Sequence, residues 1–245
     1  MPGIEHPNCG ALLVRQFAGR SGWPALEGDL LDQAHGRHRH LAEGQMLIHA
    51  GAPLVHFFLP VSGSLKSVAL DADGNEQVMA FYLPGELIGL DALGHEVHRL
   101  SVVALEPTEV CELHAQRLEA GAERLPGANH GLLQALGRGV GLDQDHMELL
   151  ARRQALERLS VFLHQLAERR QRLGLPHRRF RLSMSRQDIA SYLGLVIETV
   201  SRCFGVLQEE GVIAVDGRQL EILQPERLGL PPARCGLPDL SRKRH

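Results

Sequence analysis

The chain is predicted to be an α+β protein. Its parts are an N-terminal antiparallel β-roll (a cupin-like jelly roll), a long dimerisation helix and a C-terminal winged helix-turn-helix. Three observations predict this. Short apolar strands broken by regularly placed glycines run from about Leu41 to Leu113. A long stretch of helical periodicity follows, from about Asn129 to Arg153. Near the C-terminus, SMSRQDIASYLGLVIETVSRCFGVLQEEGVIAV (183–215) reads as two helices across a tight turn, leading into a hairpin.

The β-region alternates or clusters apolar residues in LAEGQMLIHAG, HFFLPVSGSLKSVAL, NEQVMAFYLPGELIGL and RLSVVALEPTEVCEL. Breaks at Gly44, Gly51, Gly63, Gly74, Gly85 and Gly94 give turns too frequent for helices. The segment from Cys9 to His40 has weak periodicity and carries no structural prediction. In the central helix, Leu133, Leu136, Val140, Asp143, Met147, Leu150 and Gln154 recur at alternating spacings of 3 and 4, the seam of a parallel coiled coil. A third helix, about Leu156–Leu173, opens the C-terminal part. The expected divisions are therefore 1–127, 128–154, 155–228 and a flexible tail, 229–245, rich in proline and basic residues.

The helical pair carries the chemistry. Ser185 can cap a first helix built on Ile189, Ala190 and Leu193, and Gly194 allows the turn. The second helix, about Ile197–Gln208, buries Val200, Phe204 and Leu207. Glu198, Ser201 and Arg202, at i, i+3 and i+4, project together from its other face. Arginine binds guanine through two bonds, carboxylate accepts from cytosine, and a serine hydroxyl suits several bases. Ser185, Arg186 and Thr199 flank this face. Val212–Val215 and Gln219–Leu223 around Asp216-Gly217 form the wing.

Charge agrees. The whole chain is formally −3, but residues from Arg152 onward hold 17 Lys/Arg against 10 Asp/Glu, or +7. The preceding residues hold 9 against 19, or −10, so one end is built to meet phosphates. No apolar run approaches the ~18–20 residues of a membrane span, and no secretory pattern opens the chain, so a cytoplasmic protein is expected. Neither a phosphate-binding loop, a nucleophile elbow nor paired catalytic carboxylates occur, which argues against an enzyme.

The order of glycine-punctuated β-roll, long helix and winged helix resembles the CRP/FNR superfamily of transcription regulators, and most closely its FNR branch. The matching segments are GSLKS (63–67), GNEQ (74–77), GELIGLDALG (85–94), VCEL (110–113), LDQDHMELL (142–150) and RLSMSRQDIASYLGL…ETVSR (181–202). The resemblance implies a homodimer on double-stranded DNA reading an inverted repeat, with Glu198, Ser201 and Arg202 as the base-contacting triplet. Ile197 and Ser201 replace the arginine and glycine of the CRP branch. The implied target is thus a TTGAT-N4-ATCAA palindrome. Family activators touch RNA polymerase through β-roll loops, and Gly74, Asn75 and Glu76 lie in such a loop by position. In the FNR branch, the aspartate at the place of Asp143 restrains dimerisation.

Sensory ligands are less well provided. Of the four cysteines that hold an FNR-type [4Fe–4S] cluster, Cys9 and Cys111 are matched, while Leu12 and Ala18 occupy the other places. Cys9 and Cys111 remain a candidate redox pair. Cys203 falls in the second helix of the pair and Cys235 in the tail. The CRP branch holds cyclic AMP with a Gly-Glu-Leu turn and an Arg-Ser pair. Gly85-Glu86-Leu87 and Arg99 are present, but Leu100 replaces the serine and displaces it to Ser101. Among 14 histidines, His35, His38 and His40 are clustered without a second group at metal-ligand spacing, so no metal site is predicted. The alternative function is a cyclic-nucleotide- or haem-binding sensor whose output is not promoter binding.

Overall fold

The computed structural model describes residues 35–71, 73–116 and 128–229, side chains at 35–37 and 128–132 excepted. Seven strands form the N-terminal roll: β1 (His35–Leu41), β2 (Met46–Ile48), β3 (His56–Ser62), β4 (Leu65–Leu70), β5 (Glu76–Tyr82), β6 (Ser101–Ala104) and β7 (Thr108–His114). They pair antiparallel in two sheets, ordered β1-β7-β3 and β2-β6-β4-β5.

Alternation along the strands explains how the layers stack. On β3, Phe58 enters the cluster with Leu65, Ile88, Val102 and Val110 between the sheets. Its neighbours Phe57, Leu59 and Val61 point to the opposite face, beside Cys111 and Leu113 of β7 and packed with Ala135 of the following helix. This sheet is covered on both faces, so HFFLPVS reads as a continuous apolar run rather than an alternating one. At the β3–β4 turn, Gly63 has φ 77°, and a Cβ there would lie 2.3 Å from Thr108 Oγ1. Only glycine fits.

Helix α1 (Ala128–Ala151) is followed by α2 (Ala155–Arg172), α3 (Arg186–Leu193) and α4 (Ile197–Glu209). Gly194 ends α3 in the left-handed conformation, φ 61°, ψ 42°. The hairpin β9 (Ile213–Asp216) and β10 (Gln219–Ile222) completes the wing, and its two loop residues are Gly217-Arg218. The helix-turn-helix and wing foreseen from the sequence are present, the wing turn lying one residue later than expected.

Two strands were not foreseen. β1 covers the histidine-rich HGRHRHL, whose polar side chains disguise an edge strand paired to β7, with a bulge between His35 and His38. His38 is no isolated surface histidine: its Nδ1 lies 2.5 Å from Glu109 Oε1. β8 (Arg179–Arg181) adds a third strand to the wing through β10. At three residues it is too short for a period to show. Among the described residues, no single helix is long and apolar enough to cross a membrane.

The helix-turn-helix part does not hang free of the roll. Phe81 on β5 packs against Phe162 of α2 and Tyr192 of α3, at ring separations of 6.0 and 5.0 Å. One apolar cluster therefore runs from Val68, Val78 and Leu83 through Leu159 and Leu163 to Ile189, Phe204 and Leu220. Replacing Gly63 by alanine forces both strain and a clash at the β3–β4 turn. It is expected to lower unfolding free energy by about 1–3 kcal/mol, read from the denaturation midpoint at constant slope.

Candidate DNA-binding face and its links to the β-roll

Local chemistry fixes the helix pair first. Ser185 Oγ accepts from Asp188 N at 3.1 Å and Ser185 N donates to Asp188 Oδ2 at 2.8 Å, a reciprocal capping box. Ile189, Ala190 and Leu193 then turn inward against Val200, Phe204 and Leu207 of α4. That burial leaves Glu198, Ser201 and Arg202 exposed on the outward face of α4. Arg202 Nη2 donates to Thr199 Oγ1 at 3.3 Å, which steers the guanidinium without neutralising it. Arg186 is placed differently from its neighbours. Its guanidinium carbon stands 3.2 Å from the Phe204 ring centroid, and burial pulls its pKa down to about 10. It braces the two helices. Cys203 points inward on α4, and burial pushes its thiol pKa up.

The α1 seam residues are the next group. Leu133, Val140 and Met147 are 65%, 55% and 63% exposed, and Leu150 is also open, whereas Leu149 and Ala135 are buried within the protomer. Leu136 is half-buried and Asp143 exposed. Packing around the helix partly desolvates the Asp143 carboxyl and raises its pKa, while nearby His146 pulls the other way. His146 itself is stacked flat on Tyr192, centroids 3.8 Å apart and planes at 5°, and its Nε2 is 2.8 Å from Tyr192 O. Burial lowers its pKa.

On the roll, Gly74, Asn75 and Glu76 form the exposed β4–β5 turn. Asn75 Nδ2 donates to Asp71 Oδ2 at 2.9 Å, and Asn75 N and Asp73 N donate to Oδ1 at 2.8 and 2.9 Å; these bonds, the Asn75 side chain's foremost, hold the Asp71 pKa below the usual value. Cys111 is fully buried in β7, opposite Leu59 and His38. Cys9 lies outside the described residues, as do Leu12 and Ala18. By the resemblance, Leu12 and Ala18 stand at two of the four ligand places of an FNR-type cluster, and neither leucine nor alanine can ligate iron. Among the described residues, no group of three or more His, Cys, Asp or Glu side chains is placed to hold a metal ion.

The fold also implies a cyclic nucleotide, and the matching residues are already engaged within the chain. Both Glu86 oxygens accept from Arg169 of α2, Oε1 from Nε at 3.1 Å and Oε2 from Nη2 at 2.7 Å. Leu83 N also donates to Oε2. The backbone N–H groups of Arg99 and Leu100 point at Asp91 Oδ2, at 2.9 and 3.4 Å, and His98 Nδ1 lies 3.2 Å from Oδ1. Internal partners thus take the glutamate of the Gly-Glu-Leu turn and the backbone N–H groups of Arg99 and Leu100. The residues present do not fit the nucleotide. Arg169 lies 83 positions from Glu86, and such a long-range pairing leaves no local period in the sequence.

Two domain families match the chain: a Crp-like helix-turn-helix domain over residues 157–229 and a cyclic nucleotide-binding domain over residues 38–124. Over 200 residues the chain is 40% identical to the transcriptional activator protein Anr of Pseudomonas protegens, covering 82% of each chain. It is 36% identical over 196 residues to the fumarate and nitrate reduction regulatory protein of Escherichia coli K12, covering 80% of this chain and 78% of that one. Among solved structures, FixK2 of Bradyrhizobium japonicum superposes with a TM-score of 0.72 at 29% identity, over 80% of this chain and 98% of that one.

Because Arg169 holds Glu86 and Asp91 blocks the adjoining amides, cyclic AMP at millimolar concentration is expected to leave the melting temperature unchanged. A ligand present at 100 times its Kd would add about 2.7 kcal/mol, a shift of a few degrees that differential scanning fluorimetry would register. The exposed triplet on a capped helix-turn-helix, the wing, the β-roll and these likenesses together make the chain a DNA-binding transcription regulator of the CRP/FNR family.

Proposed function

We propose that the chain acts as a homodimer that reads a TTGAT-N4-ATCAA-like palindrome and activates genes answering to oxygen limitation, redox state or nitrogen oxides. The observation that carries this is the exposed Glu198, Ser201 and Arg202 face, with Ile197 rather than arginine before the glutamate. Serine and isoleucine at these places distinguish the FNR-type half-site from the CRP-type. The names of the relatives, an activator and a fumarate and nitrate reduction regulator, support the class of genes. Ser185 and Thr199 border the same face and serve as phosphate contacts. Gly74, Asn75 and Glu76, exposed at the β4–β5 turn, are the proposed RNA polymerase contact. Leu133, Leu136, Val140, Met147 and Leu150 form the dimer seam: so much open apolar surface along one helix is unfavourable in water and asks for a partner.

In a twofold seam each residue meets its own copy, so Asp143 faces Asp143. Two ionised carboxylates repel, and the dimer is held marginal until one is protonated or a signal compensates. Burial within one protomer already raises the Asp143 pKa, and in the proposed dimer a facing carboxylate raises it further. A carboxyl whose pKa rises on association opposes association while ionised, and that opposition fades as pH falls through the raised value.

Two outcomes test this. Arg202→Ala should lose about 1–3 kcal/mol of specific binding and relax choice at one base. Fluorescence anisotropy at fixed salt compares the FNR-type with a CRP-type palindrome, and tighter binding to the latter overturns the assigned specificity. Asp143→Ala should tighten dimerisation by about 1–3 kcal/mol, the scale on which paired carboxylates shift one another. Lowering the pH towards 5 should strengthen the wild-type dimer more than the variant's. Sedimentation across a concentration series measures it.

A further inference from the structure

The roll and the helix-turn-helix are joined by polar ties as well as by the apolar cluster. Lys66 of β4 reaches Asp188 of α3 at 2.7 Å, with side chains only 15% and 13% exposed. Burial alone would push the Asp188 carboxyl up, but the bonds from Lys66 and Ser185 hold it below its usual range. Val78 N donates to Ser191 Oγ at 2.8 Å, and Gln77 Nε2 donates to Ser191 O. On the far side of Phe81, the Glu86–Arg169 fork ties the roll to α2, and Arg169 Nη2 also donates to Phe81 O at 2.7 Å. The third body, α1, meets the same junction through the His146–Tyr192 stack.

These ties matter because α4 touches DNA while α1 carries the seam. They are linked through the short α1–α2 connection, the His146–Tyr192 stack and this junction with the roll. A dimer reads half-sites at a fixed separation only if each recognition helix is held at a fixed angle to the seam. We infer that Lys66 and Arg169 are positioning residues that set the half-site spacing the dimer accepts, although neither touches DNA. Lys66 fixes the roll to the start of α3. Arg169, forked onto Glu86, fixes it to α2. Side chains that are only stabilising would lower melting temperature without altering which spacing is preferred. Ties that set geometry change the preference itself.

The inference rests on the dimeric palindrome reading proposed above, and the test separates the two. The full chain is titrated by anisotropy with palindromes whose half-sites are separated by three, four, five and six base pairs, and with a single half-site. Wild type is expected to favour one spacing by about tenfold or more. Lys66→Met keeps the side-chain length and leaves Asp188 satisfied by Ser185, so the fold should hold. It should flatten the preference to about threefold or less while leaving single half-site affinity unchanged. Arg169→Lys, which keeps the charge but breaks the fork, should do the same, and Lys66→Arg should restore the wild-type profile. Variants that melt earlier yet keep the wild-type spacing profile overturn the inference. If Arg169→Lys fails to fold, Lys66→Met decides alone. Wild type binding every spacing equally would instead overturn the dimeric reading itself.

Discussion

Everything in this molecule is organised around the ring of Tyr192. It is buried at the end of α3, flanked by Phe81 from the roll and Phe162 from α2, and roofed by His146 from α1. Burying each large ring is worth roughly 1.5–3 kcal/mol and the ring pairs add about 0.5–1.5 kcal/mol apiece. That is enough to make one core of elements from the roll, the connecting helix and the helix-turn-helix. Burial pushes the Tyr192 phenol up to about 12, so it stays neutral wherever the protein is folded. With α3 pinned from behind, the outer face of α4 is left open to solvent.

The charge distribution follows the same partition. The roll and α1 are acidic, the C-terminal part basic, and opposite charges meet where they touch: Lys66 with Asp188, Arg169 with Glu86, Arg181 with Glu106. Arg169 and Arg181 turn basic charge of the C-terminal part toward the roll, while Lys66–Asp188 runs the other way. What remains outward includes Arg202, which no carboxylate pairs among the described residues. A net charge of −3 therefore conceals a phosphate-facing end, while the acidic body disfavours binding DNA in the wrong orientation.

Local features were legible in the sequence. Ser185 as a cap, Gly194 as a left-handed terminus, the burial of Val200, Phe204 and Leu207, and the exposure of Glu198, Ser201 and Arg202 all follow from helical spacing and one turn. The glycine-broken roll was legible for the same reason: Gly44, Gly51, Gly63, Gly74, Gly85 and Gly94 all have positive φ. Features set by distant partners were not. β1 is a strand because β7 offers it an edge, despite a polar sequence. Arg186 resembles a phosphate contact by position, yet the Phe204 ring beside it draws it inward. Glu86 resembles a ligand-binding residue until Arg169, 83 positions away, is seen to hold it. Amphipathic period reports which face is apolar. It does not report which ion finds which.

Helix α1 is where the protomer is least self-sufficient. A Cβ added at Gly137 or Gly141 would meet nothing within 4 Å, so packing inside one chain does not require glycine at either place. Each nevertheless costs the helix about 0.8–1 kcal/mol relative to alanine. Open Leu133, Val140 and Met147 add apolar surface that favours association, and a facing pair of Asp143 carboxylates subtracts from it. In the proposed dimer the carboxylate pair takes about 1–3 kcal/mol away from that favourable burial. A sensor working through such a seam needs to contribute only a few kcal/mol to move the population tenfold or more. That is well within the reach of modest repacking at the roll, which meets α1 through Ala135 and the Leu90–Gly139 contact, with Leu90 Cδ1 3.5 Å from where a Gly139 Cβ would stand.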